Sequence, residues 1–144
     1  MATLKISDLS VGDWVQDKNG IYAKVIGIEN WSNGYFLNIE LHGVNVGVTP
    51  LASVHPIPIT AEILARNGFE FEKASRWHIC ELEDKTKINV WIGRNNEGRI
   101  EVSKPDLFEH EYHFKYADIE VLNIAVHQLQ HTLRLAGVDK EINL

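Results

Sequence analysis

With a single cysteine, Cys80, among its 144 residues, the chain has no internal disulfide and no cysteine-based zinc site. Bases are scarce too: fourteen Lys and Arg face twenty Asp and Glu, for a formal net charge of −6. Neutralising phosphates requires clustered Lys and Arg, so this balance argues against non-specific nucleic-acid binding. No basic module is hidden in either half: residues 1–58 hold three Lys against five acids, and 59–144 hold eleven bases against fifteen acids. No run approaches the roughly 18 apolar residues that cross a bilayer. The start, Met1-Ala-Thr-Leu-Lys-Ile-Ser-Asp8, has no signal-peptide core. The expectation is a cytoplasmic protein without membrane contact, in which Asn30-Trp31-Ser32 matches a glycosylation acceptor by chance. Also missing are a Gly-rich phosphate loop, a Gly-x-Ser-x-Gly elbow, internal repeats and low-complexity segments.

What is present is the balance of a globular protein, 44% hydrophobic and 24% charged, with length for one medium domain or two small ones. The first third reads as short strands. Lys18-Asn19-Gly20 is a hairpin turn of the Asn-Gly type. Gly27, inside the following strand, marks a bulge. Tyr35, Leu37, Ile39 and Leu41 alternate with Phe36, Asn38 and Glu40, and Val44, Val46 and Val48 alternate with Asn45, Gly47 and Thr49. A turn at Pro50 to Ser53 leads to a last strand at 54–57. Five strands in about 50 residues avoid exposed edges by closing, so the expectation for 1–57 is an SH3-like five-stranded β-barrel.

Pro56-Ile-Pro58-Ile59 is an extended linker. Thr60 caps a short helix from Ala61 to Arg66, and Asn67-Gly68 ends it. Residues 76–122 read as a small antiparallel sheet. In it Trp77 and Ile79 alternate with His78 and Cys80, and Ile88, Val90 and Ile92 with Asn89 and Trp91. A helix over 124–136 follows, with Asn123 as N-cap and Gly137 beyond its end. Val126, Leu129 and Leu133 lie on its apolar side, opposite His127, Gln130, His131 and Arg134. The tail 139–144 is a candidate edge strand. The whole is α+β: a barrel over 1–57, then an α+β domain over 58–144 whose sheet is covered by a short helix and the C-terminal amphipathic helix.

Pro56-Ile-Pro-Ile-Thr60 running into Gly68-Phe69, and Val126-His-Gln-Leu-Gln130 near the end, resemble a group of small uncharacterised proteins of Bacteroidetes and their phages and mobile elements. The resemblance covers nearly the whole chain and implies no activity, so it carries over no functional residue. In that pattern Asn often stands at the position of His131, which speaks against a site requiring both helix histidines.

Candidate chemistry centres on His127 and His131, four apart on one helix face. The zinc-protease motif His-Glu-x-x-His needs a glutamate as base, and here Gln128 occupies that position. A third ligand would have to come from His110 or His113. Two solvated histidines on a polar face are the better reading, and no metal or cofactor is expected. Phe108 to Phe114 sets Glu111 and His113 on one strand face and His110 and Tyr112 on the other, without a known ligand spacing. Cys80 shares a strand face with His78 but reads as a structural cysteine. Among the aromatics, Trp31, at a turn tip beside Tyr35, is the least easily assigned to a core.

The expectation is therefore a non-catalytic binding or adaptor protein whose partner is a protein. Its candidate contact residues are Trp31, Tyr35, His127, Gln130, His131 and Arg134. The alternatives are a hydrolase using His127 with His131 or Glu111, and a nucleic-acid module needing a basic patch from Lys18, Lys24, Arg94 or Arg99.

Overall fold

The computed structural model describes residues 4–105 and 113–144. These form two antiparallel sheets and two α-helices, an α+β chain. It divides into two compact units, Met1–Ile57 with Ala125–His127, and Pro58–Ile124 with Gln128–Leu144.

The first unit holds β1 (Trp14–Gln16), β2 (Tyr22–Trp31), β3 (Gly34–Leu41) and β4 (Val44–Pro50), paired in that order. The turn into β2 is closed by Asp17, whose Oδ1 accepts from the N–H groups of Asn19 at 2.8 Å and Ile21 at 2.9 Å, with Gly20 at φ 78°. The predicted bulge forms: Val25 pairs with Ile39, and the next pair is Gly27 with Asn38. A second register shift lies in β4, where Ile39 meets Gly47 and Glu40 meets Asn45, leaving Val46 without an opposite residue. The core beneath the sheet gathers Leu4, Leu9, Val15, Ala23, Val25, Leu37, Ile39 and Val54. Asp13 is wholly buried beside it, and its carboxylate accepts from the Ser10 N–H at 2.8 Å.

Among the described residues the expected closing of five strands into a ring is not observed. A 3₁₀ turn, Leu51–Ser53, follows β4. After it, the segment 54–57 makes a single bridge, between His55 and Gln16. Pro56 and Pro58 lack N–H donors, so this segment cannot extend a ladder as a regular strand does.

The second unit holds α1 (Ala61–Arg66), β5 (Glu70–Phe71), β6 (Trp77–Glu81), β7 (Lys87–Ile92), β8 (Gly98–Pro105) and β9 (His113–Val121). Its five strands form an antiparallel meander in chain order. Thr60 Oγ1 accepts from the Ile63 N–H, the N-cap expected from sequence. At the other end of α1, Gly68 at φ 84° lets the Phe69 N–H reach the Leu64 carbonyl at 3.0 Å. Register between β6, β7 and β8 is unbroken, and His78, Cys80, Ile88, Val90, Ile100 and Val102 are all buried. Ile63 and Leu64 of α1, and Leu129 and Leu133 of α2 (Val126–Leu135), are buried as well.

The last helix begins two residues later than the sequence predicts, because the backbone ahead of it is otherwise engaged. The Ile124 carbonyl accepts from the Ile59 N–H, and the Val126 N–H donates to Ile57. It ends one residue short of the predicted 136, with the expected glycine beyond it: Gly137 sits at φ 69°, and the Val138 N–H reaches the Leu133 carbonyl at 2.8 Å. The tail adds no strand. Asn67 holds it instead, donating to the Asn143 carbonyl and accepting from the Asn143 N–H, each at 2.8 Å.

Candidate functional site

Twelve large apolar side chains stand out as exposed among the described residues. Nine belong to the first unit: Val11, Ile21, Tyr22, Ile28, Trp31, Tyr35, Val44, Val46 and Val48. This follows from the shape of the first sheet. The paired strands β2 and β3 run past the core, whose members on them are Ala23, Val25, Leu37 and Ile39. Towards the hairpin end Ile28, Trp31 and Tyr35 are exposed, although Ile28 pairs with the core residue Leu37.

Register decides which of these side chains share a face. Trp31 pairs with Gly34 and Asn30 with Tyr35, so Trp31 and Tyr35 lie on opposite faces of the hairpin. Trp31 leans on Phe36, ring centroids 4.6 Å apart at a tilt of 34°. Phe36 pairs with Pro50, and Val48 with Asn38, on the same face. That face therefore carries Trp31, Phe36, Pro50 and Val48 close together. Further along it, Lys24 sits 5.2 Å over the Trp14 ring. Tyr35 lies on the other face, with Ile28 and the core residues Leu37 and Ile39.

The polar face of α2 is not the open surface expected from sequence. His127 and Gln130 are buried, at 5% and 8% exposed, His131 is half-buried, and only Arg134 is exposed. Glu111 and His110, invoked with these histidines, lie outside the described residues. No three of His, Cys, Asp and Glu come together in metal-binding geometry among the described residues.

Other chemistry-bearing groups are held in structural roles. Burial pushes the Cys80 thiol up, against the opposing pull of Lys140, which leaves it a poor nucleophile. Burial also pushes His78 below its ordinary value, and its ring packs 4.9 Å from that of Phe71. Arg99 binds Asp118 through two nitrogens, at 2.9 and 2.7 Å, with Glu101 at 3.2 Å; this keeps its guanidinium firmly protonated. A cavity of about 510 Å³ lies against Gly68, Glu70, Phe71, Glu72, Ile79, Glu81 and Lys87. It contains no nucleophile paired with a base.

Sequence reasoning selected Trp31 and Tyr35 but missed the valines of β4. Their alternation reads as a strand with one buried face. The signal pointing the other way is the absence of any Asp, Glu, Lys or Arg between Leu41 and Val54, together with two glycines. Among the described residues, no helix is long and apolar enough to cross a membrane. No family model matches the sequence, and no curated protein and no solved structure matches it significantly.

Proposed function

We propose that this is a non-catalytic binding protein that meets another protein through the exposed apolar surface of its N-terminal sheet. The observation carrying this reading is that nine of the twelve exposed large apolar side chains among the described residues fall in one unit. Isolated apolar residues on a surface are ordinary, but Trp31, Phe36 and Val48 are neighbours on one face. Aromatic side chains of this kind supply most of the energy in protein interfaces.

We read the sheet as an SH3-like arrangement. In support, the Gln16–His55 bridge sets the segment after the 3₁₀ turn beside β1. We place the protein in the cytoplasm, in keeping with its charge and single cysteine. A protein partner fits better than nucleic acid because two of the four cations such a patch needs are already engaged: Lys24 lies over Trp14, and Arg99 is held by Asp118 and Glu101. The burial of His127 gives the hydrolase alternative no support.

The test is co-purification from the native host, then titration of the purified partner against wild type and Trp31→Ala. Loss of at least tenfold in affinity for Trp31→Ala is expected, in line with the roughly 2 kcal/mol of an interface anchor. A partner that binds the variant as tightly as wild type, or turnover of a substrate, overturns the reading.

A further inference from the structure

We infer that β4 is a self-association edge, at which two copies of this chain join by antiparallel pairing of β4 with β4. This rests on the reading of the N-terminal sheet as a contact surface and names a second occupant for it.

β4 ends its sheet: it pairs with β3 on one side and with no strand on the other among the described residues. An edge strand offers a row of backbone donors and acceptors with which another extended strand can pair. Its side chains agree. Val44, Val46 and Val48 are 62%, 51% and 43% exposed, and β-branched residues favour a strand surface.

Charge selects a copy of the same strand as the occupant. The protein carries −6 overall, so two copies carry like net charge, and a contact between them is least opposed where charged residues are absent. The stretch from Leu41 to Val54 has no Asp, Glu, Lys or Arg, and β4 can meet itself without opposing like charges.

Geometry also limits the contact. Val46 lies in the bulge, Asn45 Oδ1 already accepts from the Gly47 N–H at 2.9 Å, and Pro50 has no N–H. The regular stretch is therefore short and centred on Val48. A two-fold axis there sets Val48 against Val48 of the partner subunit and Gly47 against Thr49 of the partner subunit. Gly47 and Thr49 both lie on the core side, paired with Ile39 and Leu37, so every side chain keeps its face. So short a contact gives a weak, concentration-dependent dimer.

Sedimentation of the full chain from about 10 µM to about 1 mM, a range spanning weak association, reads this directly. The weight-average mass is expected to climb from 16.4 kDa toward twice that value. Val48→Lys, which puts two ammonium groups on the axis, is expected to stay monomeric throughout. Val11→Lys, at a more exposed valine off this edge (59% against 43%), is expected to behave as wild type. Hydrogen exchange of the 44–49 amides gives a second readout, slowing with concentration in wild type and not in Val48→Lys. Monomeric wild type at about 1 mM, association unaffected by Val48→Lys, or equal loss in Val11→Lys each overturns the inference. If the chain stays monomeric while Trp31→Ala still loses a purified partner, the self-pairing fails and the binding reading stands. If it dimerises and no partner depends on Trp31, the reverse holds.

Discussion

In β7, Ile88 and Val90 are completely buried, whereas in β4 Val44, Val46 and Val48 are between 43% and 62% exposed. Both strands place β-branched residues at alternate positions. They differ in their neighbours. β7 lies between β6 and β8 with an unbroken register, so Cys80, Ile88 and Val102 align across the sheet, as do His78, Val90 and Ile100. Each row lies on one face and is covered together. β4 has one neighbour and a register shift, which sets Val44 beside Leu41 on the core side and Val48 beside Asn38 on the other. Burying a valine fully is worth roughly 1.5–3 kcal/mol, so the first unit forgoes stability that the second obtains from the same residue type. That contrast is why the first sheet reads as a surface for contact and the second as a packed scaffold.

The largest effect is expected where the first unit has least to spare. Its core has eight principal members, and Leu37 is completely buried among them. Leu37→Ala should cost about 2–5 kcal/mol, a large part of a small unit's stability. Hydrogen exchange should show β2, β3 and β4 losing protection while β6, β7 and β8 keep theirs. If both sheets lose protection together, they unfold as one structure and the contrast is only one of surface.

Packing in the second unit can be probed at Gly98. A Cβ there would lie 2.5 Å from Ile124 Cδ1 and 2.8 Å from the Trp91 carbonyl oxygen, and a backbone atom cannot swing aside. Gly98→Ala should therefore cost about 1–3 kcal/mol through overpacking. Gly47 in β4 is the counterpart: a Cβ there meets nothing within 4 Å, but φ is 98°. Gly47→Ala should cost about 1–2 kcal/mol through backbone strain alone. Urea midpoints of the two variants measure this directly. A neutral Gly98→Ala would show that the second unit is not tightly packed around this residue.

Features set by nearby residues were legible in the sequence. Thr60 and Gly68 bound α1 and Gly137 ends α2, because a cap or a positive φ depends on a few adjacent atoms, and the bulge of β2 falls at Gly27. Alternation likewise separated the two faces of β6 and β7, although in β6 it is His78 and Cys80, not Trp77 and Ile79, that are buried. Features requiring distant partners were not legible. Closure of the first sheet depends on whether 54–57 pairs along its length, and with Pro56 in it the segment makes one bridge among the described residues. The start of α2 depended on hydrogen bonds to residues more than 60 positions away. His127 and Gln130 fall on the polar side of the helix wheel, yet both are buried, since a wheel shows polarity and not what stands beside it. Of the contact surface, Trp31 and Tyr35 were visible as aromatics at a turn. The valines of β4 were not, because pattern alone does not distinguish an edge strand from a central one.

A smaller effect should separate the two units by pH. Burial holds His78 in the second sheet below its ordinary value of 6.5, so the folded state binds this proton less readily than the unfolded chain does. The stability due to the neutral imidazole is complete above about pH 6.5 and is lost as pH falls toward the lower folded value. The melting temperature of the second unit should drop over that interval, and His78→Gln should flatten the drop. An unchanged profile in His78→Gln would move the pH response to other groups.

The smallest effect is expected at the exposed surface. Trp31 is 49% exposed and Val48 43%, and substitutions at exposed sites outside special geometry usually stay within about 0.5 kcal/mol. Trp31→Ala gives up its contact with Phe36 and little else, so its urea midpoint should lie close to that of wild type, as should that of Val48→Thr, which keeps the β-branch. Side chains maintained for folding would behave like Leu37, with losses several times larger. A midpoint shift for Trp31→Ala approaching that of Leu37→Ala would place Trp31 within the packing of the first unit and remove it from the contact surface. A negligible shift would mean that this tryptophan contributes little to the fold, the outcome that the proposed contact role expects.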